Sequence, residues 1–279
     1  MAHRFSIIYG TAWKKERTSS LVRSAILAGF RAVDTACQLK HYREDLVGDA
    51  LQQIFETSNI KREDIFIQTK FTSISGQDRQ QPIPYDPSST VAQQVKSSFS
   101  TSLRNLKTTY IVSYILHSPL DTMELTLEAW RVLCELQDKG VVKKIGVSNT
   151  YDVRILEMLE KTGGRGAQIV QNRWYEGNGF DKEVVNYCKE RDIQYQSFWT
   201  LTGSPGLLGS PDVTSLCEQK RVTPAQMLYR LVQYWGIVPL AGSTNEEHMQ
   251  DGVEAEQIQL AAEEIPRGLS SMVWGTRVH

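Results

Sequence analysis

The chain is poor in histidine and cysteine, with five and four residues out of 279. Cys37, Cys134, Cys188 and Cys217 lie far apart and make no CxxC pair. That excludes a sequence-evident zinc knuckle or dithiol redox motif, and points to reduced thiols in an intracellular chain. The histidines are too scattered for a metal cluster, and no metal is expected. Charge of one sign is not in excess either. Thirty-one basic residues face 32 acidic ones, a formal net charge of −1, so no basic field favours nucleic acid or an anionic membrane. No apolar stretch approaches a membrane span, and MAHRFSIIYGTAWKK at 1–15 has too short an apolar core for a secretory signal. A cytoplasmic location is expected. A further absence is the glycine-rich GxGxxG: the first apolar run ends in Gly10-Thr11-Ala12-Trp13. This weakens, without removing, the alternative of a doubly wound open sheet that binds a dinucleotide.

What the chain does have is ample core, 41% hydrophobic against 23% charged, and one unit repeated throughout. Short, β-branched apolar runs at 5–9, 30–33, 65–69, 111–116, 145–148, 169–171, 193–198 and 237–240 suggest strands buried on both faces. Helical patterns fill the intervals. Leu46, Val47, Ala50, Leu51, Ile54 and Phe55 make one stripe, and Val91, Val95, Phe99 and Leu103 make another. Asp121 is placed to cap the helix carrying Trp130 and Leu133, with Gly140 ending it. Thr223-Pro224 reads as a cap followed by proline in the first turn, before a buried face of Leu228, Leu231, Val232 and Trp235. Eight strands separated by helices predict a single-domain (β/α)8 TIM barrel over 1–279, with the C-terminal tail contributing to the pocket. Residues 77–89, rich in Gln, Pro and Ser, read as a long loop over one face.

Polar residues follow the apolar runs: Asp34, Lys70, His117, Ser148-Asn149 and Gln171-Asn172. In a parallel barrel these positions share the carboxyl-terminal mouth, where active sites are assembled from several strands. Each also has an ordinary reading. Asp34 suits a turn cap, Lys70 a snorkelling side chain, His117 a satisfied core imidazole, and the amides turn residues. An Asp, a Lys, a His and amides at successive strand ends are harder to explain singly.

The order of motifs resembles the aldo-keto reductase family. DTACQLKHYREDLVG at 34–48, FIQTK at 66–70, YILHSP at 114–119, KKIGVSN at 143–149 and GSTNEEH at 242–248 carry the likeness, which runs over nearly the whole chain. It implies an oxidoreductase reducing an aldehyde or ketone with hydride from NADPH. Tyr42 would be the general acid, assisted by Lys70, Asp34 and His117, with Lys70 lowering the phenol's pKa. The Asp–Tyr interval is longer than the family's usual one, and Leu39 falls nearer the common spacing. Tyr42 is assigned because it precedes Arg43-Glu44, with His41 the competitor.

The resemblance also implies a cofactor site. Ser148, Asn149 and Asn172 would hold the nicotinamide carboxamide, with Gln171 as the alternative to Asn172. Phe198, or the adjacent Trp199, would stack on the ring. Thr11 and Leu201 belong to the same site, and the loop at 200–210 would close over the diphosphate. GSTNEEH, opening the final helix, would place Gly242, Ser243, Thr244, Asn245 and His248 near the adenosine phosphate. The family's usual lysine and arginine clamp is replaced there by Gly242 and His248, so NADH is possible beside NADPH. Trp13, Tyr85, Trp174 and Trp274 would wall the substrate pocket. Family precedent implies a monomer acting on a small carbonyl compound. Two rivals are a cofactor-binding regulatory barrel with little turnover and a non-redox barrel lyase, isomerase or hydrolase.

Overall fold

In the computed structural model, which describes residues 5–275, each apolar run becomes a strand. The strands are β1 (Ile8–Gly10), β2 (Ala32–Asp34), β3 (Phe66–Phe71), β4 (Ile111–Leu116), β5 (Val142–Ser148), β6 (Ile169–Arg173), β7 (Gln194–Phe198) and β8 (Val238–Ala241). Each pairs in parallel with the next, and β1 pairs with β8 to close the barrel. Helices cover the outer faces, so the strands read as apolar runs rather than as alternating ones.

The main connecting helices are α1 (Thr18–Leu27), α2 (Glu44–Thr57), α3 (Val91–Asn105), α4 (Met123–Asp138), α5 (Val153–Gly163) and α6 (Lys182–Glu190). After β7 come α7 (Pro205–Leu208), α8 (Pro211–Lys220) and α9 (Pro224–Tyr234); after β8 come α10 (Glu246–Glu254) and α11 (Arg267–Trp274). Thr223 caps α9 through a reciprocal pair with Gln226, and Pro224 sits in its first turn. The cap of α4 is Thr122, not Asp121: its extended backbone aims the hydroxyl at the Leu125 N–H. The helix at 246–254 is not the last, because α11 follows it. None of the described helices is long and apolar enough to cross a membrane.

The barrel interior is layered. Toward the amino-terminal end of their strands, Ile8, Ala32, Phe66, Val112 and Ile169 form an apolar plug, joined by Ile115 from its place opposite Lys70. Gly146 permits tight β5–β6 packing, since a Cβ there would lie 2.2 Å from the Ile169 carbonyl oxygen. Above the plug, Gln68, Ser113, Gln171 and Gln196 exchange hydrogen bonds, and above these lies the carboxyl-terminal mouth.

Among the described residues, none of α11 lines the cavity at that mouth. Leu269 and Val273 of α11 are buried, where the helix meets α8 and the turn after β6. Trp274 packs edge-on against Trp235 at 5.8 Å, with the Lys189 ammonium 4.2 Å from its ring centre. Trp235 caps α9 and Lys189 lies in the last turn of α6, so Trp274 packs on the outer helices. Its apolar contacts and cation–π partner are all on the outer helix layer.

Candidate active site

Asp34 and Lys70 end or nearly end adjacent strands and point into the barrel. The Lys70 Nζ lies 2.5 Å from Asp34 Oδ2 and donates to the Thr35 carbonyl oxygen at 2.9 Å. Both side chains are almost fully buried. Burial pulls the Lys70 pKa down, and the Asp34 carboxylate works against that. Asp34 Oδ1 accepts from the Nε2 groups of Gln68 (2.8 Å) and Gln171 (3.0 Å). The same two amides donate to Gln196 Oε1 at 2.7 and 2.9 Å. Asp34 is therefore held by one cation and two amides.

His117 follows β4, and its Nδ1 lies 2.7 Å from the Thr72 hydroxyl. Burial, helped by the nearby Lys70 charge, lowers its pKa to about 3, so the imidazole is neutral at ordinary pH. Thr72 is itself fixed from above: Tyr85 donates to its carbonyl oxygen at 2.7 Å and Gln77 at 3.2 Å.

Tyr42 reaches the same space from the irregular segment 35–43. Its neighbours anchor it on both sides. Arg43 bonds Asp45 and Glu16, while buried Glu44 accepts from Thr69 (2.5 Å) and Asn105 (3.0 Å). The Tyr42 ring packs edge-on against His117 at 5.8 Å, and Lys70 Nζ lies 5.3 Å from its centre. Among the described residues the Tyr42 hydroxyl has no hydrogen-bond partner. Its pKa is raised, not lowered as expected from Lys70: burial dominates, and the Asp34 charge adds to it.

These groups open onto a cavity of about 930 Å³ lined by Trp13, Tyr42, His117, Gln171, Phe198 and Ser243 among others. Ser148, Asn149, Trp199, Leu201, Gly242 and His248 also line it, as does His41, stacked on Trp13 at 3.7 Å. Three lining residues, Trp13, Asn149 and Trp199, hold left-handed backbone with φ of 63°, 51° and 64°. Such strained turns cluster where loops are shaped for a ligand.

Other expected residues are elsewhere. Thr11 is buried and donates to the Asp34 carbonyl oxygen at 2.9 Å. Asn172 faces outward from the barrel, bonding Thr150 and Asp181, while Gln171 faces the mouth; strand alternation separates the two. Asn245 spends its side chain capping α10 through the Glu247 and His248 N–H groups, and exposed Thr244 does not line the cavity. Tyr85 is buried over Phe71. Trp174 is enclosed by Phe180 and Trp235. Trp274 packs on Trp235 and does not line the cavity.

Three charged lining residues had not been anticipated. Lys14 reaches from the loop after β1 to donate to the Gly242 carbonyl oxygen. Its ammonium lies 3.6 Å from where a Gly242 Cβ would stand. Arg173 ends β6, and Asp251 lies on α10. Interior alternation from Ile169 through Gln171 gave a signal for Arg173; nothing local gave one for Lys14.

Comparison with known proteins agrees with this geometry. The model for the aldo/keto reductase family matches residues 6–268. Human aldo-keto reductase family 1 member C4 is 28% identical over 282 residues, covering 90% of this chain and 81% of its own. An aldo/keto reductase structure from Brucella melitensis superposes with TM-score 0.80 at 25% identity, over 96% of this chain and 94% of that one. The Bombyx mori aldo-keto reductase, solved in complex with NADP, shares the fold at TM-score 0.78 and 22% identity, over 98% and 91% of the two chains. The chain belongs to the aldo/keto reductase family of NAD(P)H-dependent oxidoreductases.

Proposed function

We propose that the protein reduces an aldehyde or ketone, with Tyr42 as general acid and NADPH as the preferred cofactor. The observation that carries this reading is that Asp34, Tyr42 and His117 line one cavity from separate segments, with Lys70 bonded to Asp34 and 5.3 Å from the Tyr42 ring centre.

The residues present fit a nicotinamide cofactor. Phe198 offers an aromatic face, and Ser148, Asn149 and Gln171 offer polar atoms beside it. Gln171 Nε2 is committed to Asp34 and Gln196, which leaves its Oε1 without a partner among the described residues and available to a carboxamide NH2. Thr200, Leu201, Thr202 and Leu208 border the cavity, as do Gly242, Ser243 and His248. Lys14 is the lysine there. It stands where Gly242 brings no charge of its own, and supports binding of a phosphate-rich cofactor. The nicotinamide supplies the hydride.

The protein's part is protonation and alignment. Tyr42 holds its proton through neutral pH and donates it to the carbonyl oxygen as negative charge develops there. Lys70, kept in place by Asp34, stabilises the phenolate left behind. Neutral His117, with Nδ1 facing Thr72, presents Nε2 to the substrate oxygen and positions it. Loss of NADPH absorbance with a panel of aldehydes tests the reading. Tyr42→Phe should lower kcat by about 10²–10⁴-fold while NADPH still binds. Wild-type turnover in Tyr42→Phe, with His41→Ala inactive, would move the acid to His41. The unpartnered Tyr42 hydroxyl favours one rival, a cofactor-binding barrel without turnover. NADPH binding without reduction of any aldehyde would identify that case.

A further inference from the structure

Arg173 is a cation at the mouth without a counter-charge. Its backbone is pinned on both sides: the Arg173 N–H donates to Tyr151 Oη at 3.0 Å, and Asn178 Nδ2 donates to the Arg173 carbonyl oxygen at 2.7 Å. Its guanidinium lies 4.4 Å from the Trp199 ring centre and 5.8 Å from that of Phe198. Trp199 is fixed in turn by its left-handed backbone and by Tyr175, 5.7 Å away. The guanidinium is thus held in place before any ligand arrives.

Among the described residues no carboxylate pairs with Arg173, and none of its side-chain N–H groups has an acceptor. It lines the same cavity as Tyr42 and His117. A short chain of contacts joins it to the reacting groups. Tyr151 meets both the Arg173 N–H and Asn149 Oδ1, and Asn149 Nδ2 donates to the His117 carbonyl oxygen at 2.9 Å. Of the carboxylates lining the cavity, Asp34 is committed to Lys70, and Asp251 sits on α10 with His248.

We propose that Arg173 recognises an anionic group of the substrate, and that the preferred substrate is a carbonyl compound carrying a carboxylate. A planar guanidinium matches a carboxylate by paired hydrogen bonds, and stacking on two aromatic rings limits the orientations it must give up on binding. This inference rests on the carbonyl-reduction reading and adds the substrate's charge to it.

The test compares 4-carboxybenzaldehyde with 4-methylbenzaldehyde, alike in ring and aldehyde but different in charge, using NADPH consumption as the readout. The wild-type protein should show kcat/KM about tenfold higher for the carboxylated compound. Arg173→Gln should erase that ratio through KM of the charged aldehyde, and Arg173→Glu should invert it. NADPH affinity, measured by fluorescence titration, should change by less than about twofold in Arg173→Gln. Equal wild-type kcat/KM values for the two aldehydes would overturn the proposal. So would a loss of NADPH affinity matching the loss for the charged aldehyde, because the guanidinium would then serve the cofactor's phosphates. If neither aldehyde is reduced, the carbonyl-reduction reading fails, and quenching of tryptophan fluorescence by benzoate decides this inference alone. Saturable quenching that Arg173→Gln abolishes supports the anion site; no saturable quenching in the wild type overturns it.

Discussion

Lys70→Met tests the buried pair on which the site is built. The substitution keeps most of the side-chain volume and removes the ammonium, leaving the Asp34 carboxylate, only 2% exposed, without its cation. Breaking a buried pair from one side typically costs about 3–5 kcal/mol, because the remaining charge stays desolvated. Gln68 and Gln171 still donate to Asp34 Oδ1, so the lower end, about 3 kcal/mol, is expected. For a chain of this size that is a fall in Tm of roughly 6–12 °C. The double variant Lys70→Met/Asp34→Asn removes the stranded charge and keeps an oxygen facing both amides. It should therefore be more stable than the single variant, by about 1–2 kcal/mol. Urea unfolding of the three proteins at pH 7.5, with m-values compared, measures both differences. A single variant within about 0.5 kcal/mol of wild type, or a double variant no more stable than the single, would show that the carboxylate is not stranded as argued.

Two other perturbations address Lys14 and a buried acid behind β6. Lys14→Ala should weaken NADPH binding by about tenfold in a fluorescence titration, and NADH binding by less if Lys14 meets the phosphate that only NADPH carries. Unchanged affinity for both would remove Lys14 from the cofactor site. Asp181 bonds Asn172 and Tyr195, but burial pushes its pKa from 3.8 up to about 6. The folded protein thus holds this proton more tightly than the unfolded chain, and stability falls as pH rises from about 4 through 6. Asp181→Asn keeps an acceptor for both partners and tolerates the left-handed backbone there. It should raise stability at pH 8 by about 3 kcal/mol and change it little at pH 4. A variant less stable at pH 8 would contradict this sign.

The barrel was legible because parallel strands buried on both faces leave unbroken apolar runs, and the helices between them have long, regular stripes. The strand ends then named Asp34, Lys70 and His117 directly, as positions where apolar runs stop at a polar group. What escaped depends on direction rather than order. Gln171 and Asn172 are adjacent in sequence, yet one faces the axis and the other the helices; counting by two from Ile169 would have separated them. Tyr85, Trp174 and Trp274 are aromatics whose partners come from distant elements, so composition did not distinguish wall from core. Asn245 was read as a ligand group although its position before Glu246 also fits a cap, which is where the structure uses it. Lys14 became visible only once loop and strand met across the closing seam between β1 and β8.

The paired amides under Asp34 make the carboxylate's aim depend on a strand it never touches. Gln68 and Gln171 each divide their two hydrogens between Asp34 Oδ1 and Gln196 Oε1, so β7 dictates which way β3 and β6 present N–H bonds to β2. Loops above this layer are free to diversify without misdirecting it. A side chain changed on the far wall, by contrast, would turn those amides and disturb the carboxylate from across the axis.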